Sequence, residues 1–149
     1  VVENGVLKTL LHNLKTAAKV GVESTGNASR ASAASPVGVA PSVLRIESGS
    51  LSADELIQTL GDGLIITELE GIHAGVDAIS GDFSLKSAGF LVEGGRIVCP
   101  VSNITVAGNF ITLLKGVSAL GSDILFSLPQ IGYFASPSVL VERLSVAGS

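Results

Sequence analysis

The feature that most limits what this chain can fold into is a period-two run from Asp82 to Val106, turned back on itself at Gly94-Gly95. Phe83, Leu85, Ser87, Gly89 and Leu91 fall on one side. Ser84, Lys86, Ala88, Phe90 and Val92 fall on the other, as alternate side chains of a strand must. Two adjacent glycines enter the left-handed backbone region freely, which a tight hairpin turn requires. Arg96-Ile97-Val98-Cys99 returns from the turn. Pro100, which has no N–H to donate, predicts a sheet edge or the end of that strand. Ile104 and Val106 then open another strand. A long hairpin of this kind needs a sheet around it, and the rest of the sequence is read against that requirement.

Helical signals are fewer. Leu7, Leu10, Leu11, Leu14 and Ala18 recur on one helical face and predict a helix from Val6 to Lys19, stopped at Gly21. Ser52-Ala53-Asp54-Glu55 is a capping box that opens a short helix bearing Leu56, Ile57 and Leu60. Asn109 predicts an N-cap for a third helix carrying Phe110, Leu113, Leu114 and Val117, ended by Gly121. Short strands are predicted at Val43–Ile46, Leu64–Leu69, Ile124–Leu128 and Ser138–Val146. Thr25–Pro41, rich in Gly, Ser, Ala and Pro with Arg30 as its one charge, reads as a long loop of a length that is usually functional or disordered. The sum is an α+β fold, a mainly antiparallel β-sheet or barrel-like core with about three helices. No fixed-period repeat interrupts it.

Composition agrees with a packed fold. Of 149 residues, 46% are hydrophobic and 15% charged, too apolar for a disordered chain. The length predicts a single domain over 1–149. The absence of methionine means Val1 is no translation start, so an N-terminally truncated piece of a larger protein is expected. A net charge of −4 argues against nucleic acid as a direct partner. No run approaches the roughly 18 apolar residues of a membrane span. One cysteine, Cys99, cannot form an internal disulfide, which favours a reducing, cytoplasmic setting.

The residues offer little self-contained chemistry. Zinc needs three or four converging His, Cys or carboxylate ligands, and the chain has His12, His73 and Cys99 without HExxH, HExxxH or CxxC spacing. The two histidines read as ordinary surface or capping residues. Cys99, before a proline in an apolar strand, reads as a buried, unactivated thiol. Gly61-Asp62-Gly63 precedes a strand, whereas a dinucleotide fingerprint follows one. Glu68 and Glu70 share a strand face, and Asp77 and Asp82 flank a glycine turn; both pairs read as solvated carboxylates. Asn27-Ala28-Ser29 and Asn103-Ile104-Thr105 match the glycosylation pattern, a common chance match.

Several motifs, in order, carry a resemblance. Gly81-Asp82-Phe83-Ser84, Ala88-Gly89-Phe90-Leu91-Val92-Glu93-Gly94-Gly95-Arg96-Ile97 and Pro100-Val101-Ser102-Asn103-Ile104-Thr105-Val106-Ala107-Gly108-Asn109 resemble the TldD/PmbA family, also called modulator of DNA gyrase. Glu3-Asn4-Gly5-Val6-Leu7, Leu11-His12-Asn13, Ser24-Thr25-Gly26-Asn27-Ala28-Ser29-Arg30 and Ser136-Pro137-Ser138-Val139-Leu140-Val141-Glu142 through Gly148 are similar to its motifs too. The resemblance spans nearly the whole chain, as the family's C-terminal domain.

The resemblance implies two branches. A TldD-like subunit is a zinc metallopeptidase with an HExxxH helix and a later Cys as ligands; a PmbA/TldE-like subunit lacks them and pairs with the first to degrade peptides. The HExxxH helix would lie upstream of Val1. The Cys-bearing segment would correspond to Asp123–Phe134, which has no Cys. The wording around Gly81 to Glu93 also looks like the PmbA branch. The resemblance therefore implies a non-catalytic PmbA/TldE-like subunit domain, with zinc expected in a TldD-like partner and none in this chain. Such a subunit can form half of a chamber and offer a strand edge for main-chain pairing. Thr25, Gly26, Asn27 and Arg30 are the candidates to line its peptide passage. Alternatives are a zinc-dependent peptidase completed by ligands upstream, a regulatory binding module linked to gyrase control, and a homo-oligomer of the chain.

Overall fold

The computed structural model describes residues 1–127 and 133–148. In chain order its elements are β1 (Val2–Glu3), β2 (Val6–Leu7), α1 (Leu14–Val20), β3 (Ala28–Ser29), β4 (Gly38–Val39), β5 (Val43–Arg45), α2 (Ala53–Leu60), β6 (Gly63–Glu70), α3 (Ile72–Gly75), β7 (Asp82–Glu93), β8 (Arg96–Asn109), α4 (Phe110–Lys115), β9 (Val117–Leu120), β10 (Leu125–Phe126), β11 (Tyr133–Ser136), β12 (Val139–Val141) and β13 (Ser145–Ala147). The fold is α+β with mostly antiparallel sheets. The main sheet is open, in the order β13-β8-β7-β6, and does not close into a barrel. No helix is long and apolar enough to cross a membrane among the described residues.

The chain divides into two compact units. Unit 2, Glu47–Leu125 with Ser136–Ser149, is organised by the hairpin. β7 and β8 pair from Asp82↔Asn109 to Glu93↔Arg96 around Gly94 and Gly95, whose φ values are 55° and 71°. Leu85 and Ser87 are buried on one face, opposite Val106 and Ile104 of β8, which are buried as well. Val92, on the other face, is fully buried near the turn. There the end of α2 is tied to the hairpin: Gly95 N–H donates to Gly61 O at 2.7 Å, and Gly94 N–H donates to an Asp62 carboxylate oxygen at 2.7 Å. The Ser52 capping box forms as expected, with Glu55 accepting from Ser52 N–H at 2.7 Å.

Gly89 shows why one position of β7 carries no side chain. A Cβ there would fall on the carbonyl oxygen of Ile65 in β6, beside the register break between Ile66 and Glu68. β8 breaks register twice, so Val98 and the pair Ser102-Asn103 bulge out of the ladder, and Asn103 takes φ 56°.

Unit 1, Val1–Ile46 with Phe126–Ala135, is made of short pieces. β1 and β2 form a hairpin about Asn4 and Gly5, both at positive φ. β3 pairs antiparallel with β4, and β11 runs parallel to β5. Its buried residues include Asn13, Ala17 and Ala135.

Several boundaries differ from the sequence reading. The helix expected from Val6 starts only at Leu14: the Asn4-Gly5 turn takes Val6–Leu7 into a strand, and Asn13 supplies the cap. Residues 25–41 hold a two-stranded ladder, not a bare loop. Pro100 is an edge position as expected, since among the described residues β13 pairs only with Thr105–Ala107 of β8, but the strand does not end there: β8 runs on through Ile104, with Pro100 opposite Phe90. Gly116, not Gly121, closes the third expected helix, and Val117–Leu120 becomes a strand. The closing strand from Ser138 to Val146 is two strands. Leu128, the expected end of the strand from Ile124, lies outside the described residues, as do residues 128–132 of the segment compared with the family's Cys-bearing stretch. One-turn α3 had no capping signal: its N-cap is Gly71, with no side-chain cap bond. Cys99 is exposed rather than buried, because the end of β8 from Arg96 to Pro100 is exposed on both faces.

Candidate functional site

The site grows from Asn13 in unit 1. Its side-chain oxygen accepts from Thr16 N–H at 2.8 Å and starts α1, while its amide donates to Gly38 O at 3.0 Å and ties β4 to the helix start. At 4% exposure, Asn13 is a buried polar group with both ends of its amide satisfied. The chain before it, at His12, is the hub of a second cluster. Thr25 Oγ1 accepts from His12 N–H at 2.7 Å and lies 3.1 Å from His12 O and 2.6 Å from Asn27 Oδ1. Thr25 has one hydroxyl proton, so it serves one of those two acceptors at a time. Asn27 N–H donates to His12 O at 3.1 Å, and Ser24 Oγ donates to the same carbonyl at 3.3 Å. The His12 ring shares a hydrogen bond with Thr16 Oγ1 at 3.2 Å through Nδ1.

An open groove of about 560 Å³ lies against this cluster, lined among others by Leu7, Leu10, Val22, Lys8, Glu23 and Thr25. Its floor mixes apolar side chains with hydroxyls and both signs of charge.

Of the expected passage residues, Thr25 and Asn27 are brought together around His12. Gly26 links them at φ 74°, a conformation glycine tolerates best. Arg30 stands apart: it is exposed, and its guanidinium donates to Ala33 O at 3.4 Å. The sequence reading missed His12, Thr16 and Ser24 as members of the cluster. The i, i+4 spacing of His12 and Thr16 was visible, but it points to a shared site only once the helix is known to begin at Leu14.

The carboxylates of unit 2 have structural partners. Asp77 is held below the ordinary carboxylate range by the backbone N–H groups of Ile79 and Ser80. Asp123 is lowered by the Ser138 N–H and then by its hydroxyl. Glu55 is lowered by the Ser52 N–H and then by its hydroxyl. Asp82 accepts from the Asn109 amide at 2.8 Å, which places it beside the α4 cap. Glu70 pairs with Lys86 across the strands at 3.1 Å.

No three His, Cys, Asp or Glu side chains converge among the described residues, so those residues do not form the three- or four-ligand set that zinc needs.

Against known proteins, the model of the PmbA/TldA metallopeptidase C-terminal domain matches residues 1–148. The chain belongs to that family. Among its PmbA/TldA relatives, the metalloprotease PmbA of Escherichia coli O157:H7 is 37% identical over 149 residues, covering 99% of this chain and 29% of that protein. A Thermotoga maritima structure described as a modulator of a DNA gyrase superposes with a TM-score of 0.86 at 46% identity, over 98% of this chain and 32% of that one. TldE from Thermococcus kodakarensis superposes with a TM-score of 0.85 at 26% identity, over 99% of this chain and 33% of that one. The chain thus spans about a third of the length of these PmbA/TldA proteins or less.

Proposed function

We propose that this chain is a non-catalytic PmbA/TldE-like domain of a TldD/TldE-type metallopeptidase complex that processes or degrades peptides in the cytoplasm. Family membership over residues 1–148 is the observation that carries the reading. The groove beside His12 and Thr25 supports it, because apolar side chains interleaved with hydroxyls suit an extended peptide, which presents side chains and unpaired amides together. In this reading a TldD-like subunit supplies the zinc. Thr25 lines the peptide passage in this reading, with Gly26 and Asn27 beside it; Arg30 is the fourth candidate for contact with the peptide.

The test is elemental analysis of the full-length protein carrying this domain, purified alone and with a co-expressed TldD-like subunit. Zinc absent from the lone protein, and about one per heterodimer, is the expected result. Near-stoichiometric zinc in the lone protein overturns it. That outcome favours a second reading, supported by the metalloprotease names of the relatives: a zinc peptidase whose remaining ligands come from outside residues 1–149.

A further inference from the structure

Five asparagines occur in the chain: Asn4, Asn13, Asn27, Asn103 and Asn109. Three have their side-chain amides tied into the fold. Asn13 bonds Thr16 N–H and Gly38 O, Asn27 bonds Thr25 Oγ1 and Ala40 O, and Asn109 bonds Ile111 N–H and Ser80 O. Asn4 and Asn103 are exposed, sit at φ 49° and 56°, and have side-chain amides that bond to nothing among the described residues. The residue that follows separates them. Ile104 is β-branched and buried, and it shields the peptide nitrogen behind Asn103. Gly5 is exposed, has no side chain, and would find no atom within 4 Å of an added Cβ.

An amide side chain beside an unshielded, solvent-facing peptide nitrogen is the arrangement in which asparagine loses ammonia. The Gly5 nitrogen attacks Cγ of Asn4. An N–C bond forms, the proton of that nitrogen passes through solvent to the departing amino group, the C–NH2 bond breaks and ammonia leaves. Water then opens the five-membered imide. Opening at Cγ yields aspartate. Opening at the backbone carbonyl yields isoaspartate, in which the chain runs through the side-chain carbons. Nothing is oxidised or reduced, and water is the one co-reactant.

The fold places this reaction where it has a structural consequence. Positive φ at both Asn4 and Gly5 matches a two-residue type I′ turn between Glu3 and Val6. Isoaspartate adds a methylene to the backbone of that turn, so Glu3↔Val6 and Val2↔Leu7 no longer stand opposite each other. The bonds from Lys8 N–H at 2.8 Å and Thr9 N–H at 3.4 Å to Val1 O go with them. Leu7, Lys8, Thr9 and Leu10 line the groove beside His12, so one wall of that groove loses its support. Strands of two residues give a hairpin little stability of its own, and the turn therefore opens readily to the geometry the attack needs.

We propose that Asn4 deamidates spontaneously, and that the isoaspartate formed unpairs β1 from β2 and releases the groove wall. The proposal does not depend on what the groove holds, so it stands or falls apart from the peptide-processing reading.

The test incubates the full-length protein carrying this domain in mildly alkaline buffer, with time points taken for peptide mapping by mass spectrometry and for backbone hydrogen exchange. Asn4 should convert at least about tenfold faster than any of the other four asparagines. Exchange of the amides of residues 6–9 should rise in step with isoaspartate. Asn4→Gly removes the reactive amide and leaves a glycine pair suited to the turn, so its exchange should stay constant with time. Asn4→Asp carries the new charge on a backbone of normal length and should keep the pairing. An unconverted Asn4, conversion of Asn103 at a matching rate, or conversion without loosening overturns the proposal. So does loosening with time in Asn4→Gly, or loosening in Asn4→Asp as large as that of the isoaspartate form, which assigns the effect to charge.

Discussion

Residues 1–46 and residues 82–109 solve the same problem in different ways. The first stretch has two- and three-residue strands and one helix of seven residues, joined by side-chain bonds from Asn13, Thr16, Ser24, Thr25 and Asn27. The second is one hairpin with strands of 12 and 14 residues, whose backbone groups pair along a long ladder interrupted by two bulges. In a ladder the loss of one side chain is felt through buried packing. In the patchwork it is felt where a polar side chain stands in for the ladder.

The largest effect that comparison predicts is in the hairpin. Leu85→Ala removes a side chain buried between sheet neighbours and should lower unfolding stability by about 2–5 kcal/mol. Urea unfolding followed by far-UV circular dichroism checks it, and a loss under 1 kcal/mol would mean the ladder tolerates cavities as the patchwork does. Gly89→Ala comes next, because its Cβ meets the Ile65 carbonyl. A cost of about 1–3 kcal/mol is expected, with faster exchange of β6 amides. In the patchwork, Asn13→Ala should cost about 1 kcal/mol through the lost helix cap. Hydrogen exchange should show it as a local opening of residues 25–41, since the bond to Gly38 goes too, while the hairpin stays protected. A global opening would erase the distinction between the two regions.

Acid gives a smaller, directional test in unit 2. Asp77, Asp123 and Glu55 have folded-state values held below their unfolded ones by hydrogen bonds. Their contribution is therefore complete above the unfolded carboxylate range near 4 and is lost as pH falls through the lowered values. Asp77 and Glu55 are exposed and Asp123 is only half-buried, so the slope is shallow. Asp123→Asn should flatten it further, checked by thermal melts between pH 5 and pH 2. The smallest effect belongs to Arg30→Ala, expected within about 0.5 kcal/mol, because its single bond is to a neighbouring carbonyl at the surface.

Legibility in the sequence followed the same division. The hairpin, its Gly94-Gly95 turn and the Ser52 and Asn109 caps could be read directly, since period-two alternation, paired glycines and capping side chains act over a few residues. The helix start was misplaced because Leu7, Leu10 and Leu14 have helical spacing, while the Asn4-Gly5 turn, which overrides it, sits outside that window. Pro100 was rightly read as an edge position, but β8 continues past it to Asn109, since β13 reaches only Thr105–Ala107. Cys99 was misjudged because the burial of a strand face depends on what packs over it, and Arg96 to Pro100 is exposed on both faces.

The candidate site was half legible. Thr25, Gly26 and Asn27 stood out as a polar, flexible run, yet Thr25 and Asn27 meet at the backbone of His12, and backbone acceptors leave no mark in a sequence. Arg30 stood out as a lone charge and turned out to serve a local carbonyl.

By itself, then, the amino-acid order determined the local devices: which residues alternate, which cap, and where two glycines permit a turn. It also carried the ordered motifs that mark the family. Tertiary structure alone decided how far β13 runs along β8, where the ladders break register, and that His12 draws Thr25 and Asn27 together. Those outcomes depend on pairings between residues far apart in the chain, where a partner's reach, not local propensity, sets what each group meets.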